Sequence, residues 1–143
     1  MRCLLDVNVW IALLDDAHVF SERANTWLRE ANAPIATCPI VENGVIRIMS
    51  SPAYSREVRL TPGEVATHLR SACAQLDHQF WPADLSLRDE KRFDFSRLHG
   101  HRQITDAYLL ALAVQHGGRM VTLDSAVPLA AVRGAAKKHL LEL

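Results

Sequence analysis

Several features that would place a chain in a special class are absent from this sequence. No apolar stretch approaches the roughly 20 residues of a membrane span, and no basic segment with an uninterrupted apolar core opens the chain. The 16 basic and 16 acidic side chains cancel, so any nucleic-acid contact must come from a local patch. Cys3, Cys38 and Cys73 form no CxxC pair and have apolar neighbours, which favours reduced, buried thiols. We expect a soluble, cytoplasmic protein.

The length and the apolar pattern predict one α/β domain over residues 1–143. A chain of 143 residues can bury a stable core without disulfides or structural metals. Apolar runs of strand length alternate with segments of helical periodicity, including a capping box that opens at Thr61 and a mostly apolar helix that begins at Ile104. Strands are predicted at residues 3–5, 34–38, 78–85, 119–123 and 139–143. The alternation predicts a central, mostly parallel sheet of four to five strands with helices on both faces.

Four acids occupy comparable positions in this pattern. Asp6 and Asp124 end strands, Glu42 lies one turn into the helix after a strand, and Asp106 lies at the start of the buried helix. Ligands of open parallel sheets bind outside the carboxyl ends of the strands, so these acids can converge at one rim. Each also has an ordinary interpretation, because Asp often caps a helix and a charge among apolar residues is solvated or paired.

A convergence of these carboxylates predicts a metal site. Two carboxylates about 4 Å apart repel each other by on the order of 4 kcal/mol at an effective dielectric constant near 20, so a cation or protons must offset their charge. Hard oxygen ligands suit Mg²⁺ or Mn²⁺, which also bind phosphate oxygens. Such a metal activates water and stabilises charge on an attacked phosphodiester. Phosphodiester hydrolysis is therefore the predicted chemistry.

The motifs around the acids carry a family resemblance that covers nearly the whole chain. The segments LLDVNVWIALL, PIVENGVIRIMSSP, ITDAYLLALA and VTLDSAV resemble the PIN-domain family, and within it the VapC-type toxins of bacterial toxin–antitoxin pairs. The resemblance implies an α/β/α sandwich and an Mg²⁺- or Mn²⁺-dependent ribonuclease. The positions that match the family's acids and metal ligands are Asp6, Glu42, Asp106 and Asp124, with Asn8 and Thr105 as supporting polar residues.

The same resemblance implies a biological setting. Family members usually cut structured RNA such as tRNA and so inhibit translation, pair as homodimers, and are silenced by a small VapB-type antitoxin that inserts a segment into the acidic groove. His101 and Arg102, just ahead of Asp106, are candidates for contacts with RNA phosphates, although solvated surface is the ordinary interpretation of such residues.

Three other classes compete with this interpretation. A haloacid-dehalogenase-like phosphatase needs a second acid where Asn8 stands and a well-placed lysine, and the only lysines are Lys91, Lys137 and Lys138. A receiver domain needs paired acids before its phosphoacceptor strand, and the sequence has none. A catalytically silent PIN-like module for protein interaction or RNA binding would keep the acidic rim, and cleavage assays distinguish it from a nuclease.

Overall fold

Five short parallel strands form the centre of the computed structural model, which describes residues 1–143. The spatial order of the strands is β3-β2-β1-β4-β5, so the first strand of the chain lies in the middle of the sheet. The strands are β1 Cys3–Leu5, β2 Ile35–Thr37, β3 His78–Phe80, β4 Arg119–Thr122 and β5 Leu140–Glu142. This arrangement confirms the predicted α/β class with a parallel sheet.

Five α-helices connect and cover the strands. They are α1 Val7–Leu14, α2 Ser21–Ala31, α3 Pro39–Met49, α4 Pro62–Ala74 and α5 Ile104–Gln115. The capping box at the start of α4 is complete, since Thr61 accepts from the backbone of Glu64 and the Glu64 carboxylate accepts from the backbone of Thr61. Helix α1 packs against both α2 and α3, α3 packs against α4, and α5 packs on β1 and β4. None of the helices has the length and apolar character that crossing a membrane requires.

Burial in the hydrophobic core holds the short central strands in place. All three residues of β1 are buried, and seven consecutive residues of α5, from Ala107 to Ala113, are buried, so this helix is covered on all sides, by the sheet and by the 3₁₀ turns at 129–131 and 137–139. Burial of this kind is the main favourable term in folding. Cys3 and Cys38 are buried as expected and all three thiols are free, but Cys73 is only half-buried.

Two segments differ from expectation. The predicted strand at 78–85 ends at Phe80, because Trp81 makes the last ladder bond, to Thr37, and Pro82 has no N–H to continue it. The charged segment at 86–102 is not wholly surface, since Phe93 is buried and forms an isolated antiparallel bridge with Val132.

Candidate active site

A groove of about 610 Å³ lies at the carboxyl ends of β1 and β4. Its walls are formed by the first residues of α1 and α5 and by one face of α3. Its lining holds three of the four predicted acids together with both predicted supporting residues. These are Asp6, Asp106 and Asp124, with Asn8 and Thr105.

Asp6 is the best-fixed acid of the groove. Its backbone N–H donates to the Val121 carbonyl at 2.9 Å, which continues the pairing of β1 with β4. The residue is only 6% exposed. The carboxylate accepts from the Val7 N–H at 2.6 Å and from the Thr122 hydroxyl at 3.0 Å. The end of β4 therefore orients the acid that follows β1.

Asp124 and Asp106 approach Asp6 from two other elements. Asp124 follows β4, and its N–H donates to Thr122 Oγ1 at 3.0 Å, so one buried hydroxyl links two of the acids. The Asp124 carboxylate in turn accepts from the Ala126 N–H at 2.8 Å. Asp106 lies in the first turn of α5, where the helix dipole favours negative charge.

The electrostatics of the groove show an excess of negative charge. Burial raises the pKa of Asp106 to about 6, and the charges of Asp6 and Asp124 contribute to this shift. Burial also raises the pKa of Asp6, and the Asp124 charge adds to it, while the hydrogen bonds from Thr122 and Val7 oppose it. None of the three acids is in an ion pair. A cation placed among them would relieve this repulsion.

The donor set of the groove fits a hard divalent cation. No three His, Cys, Asp or Glu side chains stand in the geometry of a preformed metal cage. Mg²⁺ does not require one, since it usually keeps several waters and binds through one or two carboxylates. Asn8, Asn43 and Thr105 line the same groove and add neutral oxygen donors. Asp6, Asp106 and Asp124 are the residues that would hold the metal.

One stripe of α3 faces the acids. Its residues recur at the spacing of a single helical face and are Ile40, Asn43, Gly44, Arg47 and Ile48. Gly44 lets α3 approach α1, because a Cβ there would lie 2.6 Å from the Val7 Cγ2 atom. The glycine thus sets the distance between two walls of the groove.

Glu42 lies outside this groove, contrary to the expectation that four acids converge. Its carboxylate accepts from the Thr37 hydroxyl at 2.8 Å, and that hydroxyl lies 2.7 Å from His78 Nε2. Glu42 and His78 line a separate cavity of about 370 Å³ with Cys73. Successive residues of a helix point about 100° apart, so the face that gives Asn43 to the groove turns Glu42 away from it.

Two arginines bring positive charge to the acidic groove. Arg47 and Arg102 line it, and neither is in an ion pair with a carboxylate. The groove does not include His101, the other predicted RNA contact, which is exposed in a 3₁₀ turn. Arg47 and Asn43 are groove residues that the sequence analysis above does not name. Both residues recur with Gly44 at the spacing of one helical face, and this periodicity is the signal in the sequence that identifies them.

Comparison with known proteins agrees with this geometry. The profile of the PIN domain matches residues 3–133. The chain belongs to the PIN-domain family. This PIN-domain chain is 46% identical over 148 aligned residues to Ribonuclease VapC44 of Mycobacterium tuberculosis, with 100% of both chains covered. It is 38% identical over 128 residues to Ribonuclease VapC39 of the same organism, covering 89% of this chain and 91% of that protein. These relatives place it with the VapC proteins, as the motifs predicted.

A solved structure has the same fold at low sequence identity. The crystal structure of VapBC2 from Rickettsia felis bound to a DNA fragment from their promoter contains a chain that matches with a TM-score of 0.56 and 13% identity. The match covers 87% of this chain and 89% of that one. The PIN-like fold predicted from the motifs is therefore confirmed.

Proposed function

We propose that this PIN-domain protein is the toxin of a type II toxin–antitoxin pair and acts as an endoribonuclease that requires Mg²⁺ or Mn²⁺. The observation that carries the proposal is the groove in which Asp6, Asp106 and Asp124 meet beside two arginines that have no carboxylate partner. The names of the relatives, Ribonuclease VapC44 and Ribonuclease VapC39, support the same activity. The reaction would be hydrolysis of a phosphodiester bond in RNA.

The groove residues divide into three roles. The carboxylates of Asp6, Asp106 and Asp124 would hold the cation. When bound, the metal lowers the pKa of a coordinated water and offsets charge on the attacked phosphate. Arg47 and Arg102 would bind the phosphates on either side of the scissile bond, since guanidinium groups match phosphate oxygens in charge and geometry.

The remaining polar residues of the groove position the substrate and the ligands. Thr122 fixes the Asp6 carboxylate by its hydrogen bond, and is a positioning residue because it acts through that acid. Asn8, Asn43 and Thr105 offer donors to ribose or phosphate oxygens. We assign Glu42 a structural role, because its carboxylate is bound by Thr37 in another cavity.

The biological setting is part of the proposal. We infer that the substrate is structured RNA, with tRNA as the first candidate, and that the enzyme acts in the cytoplasm as a homodimer. A VapB-type antitoxin is the proposed partner, supported by the VapBC2 complex among the structural relatives. An antitoxin side chain with positive charge would compensate the same carboxylates that bind the metal.

Cleavage of total cellular RNA tests the proposal. The purified chain, free of partner, is incubated with total RNA in Mg²⁺, in Mn²⁺ and with chelator, beside Asp6→Asn and the exposed-acid control Asp16→Asn. We expect discrete fragments that require metal and the Asp6 carboxylate and are unaffected by the control substitution. A folded protein that binds metal and RNA without cutting any RNA would instead support the silent binding module.

A further inference from the structure

A second pocket adjoins the acidic groove and shares two residues with it. This pocket has a volume of about 440 Å³ and includes Asn8 and Asp124 from the groove. The connection between α1 and α2 contributes His18, Val19 and Phe20, and the segment after β4 contributes Leu123 and Ser125. The pocket is therefore the next space that a chain bound across the carboxylates would enter on this side.

The α1–α2 connection presents apolar side chains that the core does not use. Val19 is 83% exposed and Phe20 is 38% exposed. Exposed apolar residues scattered singly need no explanation, but two adjacent ones that line a pocket beside a polar groove favour a binding role. The proposed function uses neither of them.

The connection is held in a defined shape. The Asp15 carboxylate accepts from the Ala17 N–H at 2.9 Å, and His18 Nδ1 accepts from the Phe20 N–H at 3.1 Å. The His18 and Phe20 rings lie 6.0 Å apart at 43°. The aromatic pair is thus ordered before any ligand arrives, which lowers the entropic cost of binding.

Arg23 supports the Phe20 ring from outside the pocket. Its guanidinium carbon lies 5.5 Å from the ring centroid, and the group donates to the Leu143 carbonyl at 3.0 Å. Arg23 and Phe20 together line a different depression along α2. The ring therefore has a cation on one side and the pocket beside the groove on another.

We propose that this pocket is a nucleobase subsite, in which an unpaired base next to the scissile phosphate leaves the RNA stack and packs on Phe20. Aromatic side chains commonly receive splayed bases of single-stranded RNA in this way. The polar groups of His18, Asn8 and Ser125 lie where they can meet the edge of that base. The subsite rests on the proposed function, and it restricts cleavage to a nucleotide whose base is free to turn outward.

Two measurements test the subsite. The first is kcat/KM on a single-stranded oligoribonucleotide that spans a mapped cleavage site, and the same oligonucleotide with an abasic residue beside the cleaved bond. The second is binding of short fluorescein-labelled 2′-O-methyl oligoribonucleotides with chelator in place of Mg²⁺, because attack by water does not need the 2′-hydroxyl and only removal of the metal prevents cleavage. The variants are Phe20→Ala and Phe20→Trp, with Phe95→Ala as control because Phe95 is similarly exposed, at 50%, and outside both spaces. Thermal melting checks that each variant is folded.

The expected result is specific to the aromatic ring. Phe20→Ala should lower kcat/KM and 2′-O-methyl oligonucleotide affinity by about fivefold or more, as removal of one base-stacking contact does. Phe20→Trp should restore both, Phe95→Ala should change neither, and the abasic oligonucleotide should be cut equally by wild type and Phe20→Ala.

The contrary results separate the subsite from the proposed function. A wild-type protein that cuts RNA while Phe20→Ala keeps its kcat/KM and cleavage pattern overturns the subsite and leaves the nuclease in place. A wild type that cuts nothing, but binds the 2′-O-methyl probe in a Phe20-dependent way, overturns the nuclease and keeps the subsite. A protein that binds none of the probes and cuts no RNA overturns both.

Discussion

Two buried threonines at the carboxyl ends of β2 and β4 make the same bond with different consequences. Thr37 donates to Glu42 at 2.8 Å, and Thr122 donates to Asp6 at 3.0 Å. Both threonines are fully buried. Glu42 faces no other acid across its cavity, whereas Asp6 shares a groove with Asp106 and Asp124.

In the proposed function, the setting of an acid, and not its hydrogen bond, decides whether it takes part in the chemistry. A lone carboxylate that is bound by a hydroxyl is satisfied and can serve to join β2 and α3. Three carboxylates in one groove repel each other, and burial together with the charges of Asp6 and Asp124 raises the pKa of Asp106 to about 6. Perturbed pKa values from burial and like charges are typical of functional sites.

The largest expected effect is the difference in RNA cleavage between variants of Asp106 and Glu42. In the proposed function Asp106 binds the metal, so Asp106→Asn should lower RNA cleavage by about 100-fold or more, the scale seen when one electrostatic contact of an active site is lost. Glu42→Gln keeps the shape of its side chain and lies outside the groove, so cleavage should stay close to that of wild type. Initial rates on one RNA substrate at saturating Mg²⁺ measure both. Equal losses in the two variants would return Glu42 to the catalytic set.

The matched threonine variants sharpen the same comparison. Thr37→Val and Thr122→Val each remove a buried hydrogen bond, so each should lower the free energy of unfolding by about 1–3 kcal/mol. Only Thr122→Val should also lower kcat, by about tenfold, because misplacement of a catalytic group weakens catalysis. Urea titration and single-turnover cleavage measure the two quantities. A Thr37→Val variant with the larger loss of kcat would reverse the assignment.

A smaller effect is expected at the arginines of the groove. Arg47→Ala and Arg102→Ala should each weaken RNA binding several-fold and reduce the slope of log affinity against log salt by about 1, as loss of one phosphate contact does. Arg59, exposed in the loop before α4, provides the control Arg59→Ala. Fluorescence anisotropy at several salt concentrations gives the slopes. Unchanged slopes in both groove variants would place the phosphates elsewhere.

The smallest effect is a change of stability with pH. The pKa of Asp106 is about 6 in the folded protein, above its ordinary value of 3.8. Between pH 3.8 and about 6, the folded protein therefore keeps a proton on Asp106 that the unfolded chain has released. Without metal, the stability that this proton supplies is lost as pH rises through about 6. Relative to Asp106→Asn, the wild type should therefore melt at a lower temperature at pH 7 than at pH 5.

Added Mg²⁺ should reduce this loss of stability at the higher pH in the wild type. The cation favours the deprotonated carboxylates, so the increase in melting temperature on adding Mg²⁺ should be greater at pH 7 than at pH 5. Differential scanning calorimetry of both proteins with and without Mg²⁺ measures the difference. If the increase in melting temperature on adding Mg²⁺ is the same at both pH values, Asp106 does not bind the metal.

Much of the fold could be predicted because local signals agreed with one another. The apolar run at Cys3–Leu5, the proline at the start of α3 and the capping box at Thr61 each have a local physical cause. The positions of Asp6 and Asp124 at strand ends then followed from the parallel sheet.

The contents of the groove were harder to predict from the sequence. Whether Glu42 or Asn43 faces the acids depends on the rotation of α3 about its axis, which the packing of Gly44 on Val7 helps to fix. That contact joins two helices distant in sequence, so a helical pattern alone does not reveal it. The pocket at Phe20 was missed for a related reason, since it forms only where the α1–α2 connection meets the segment after β4.

The central position of β1 has a consequence for biosynthesis. Asp6 leaves the ribosome well before its partner Thr122, which comes 116 positions later in the chain. Domains generally fold as units once their sequence has emerged, and contacts so distant in sequence close late. The nascent chain therefore carries no complete acidic groove until the residues at the end of β4 have been synthesised and can pair with β1.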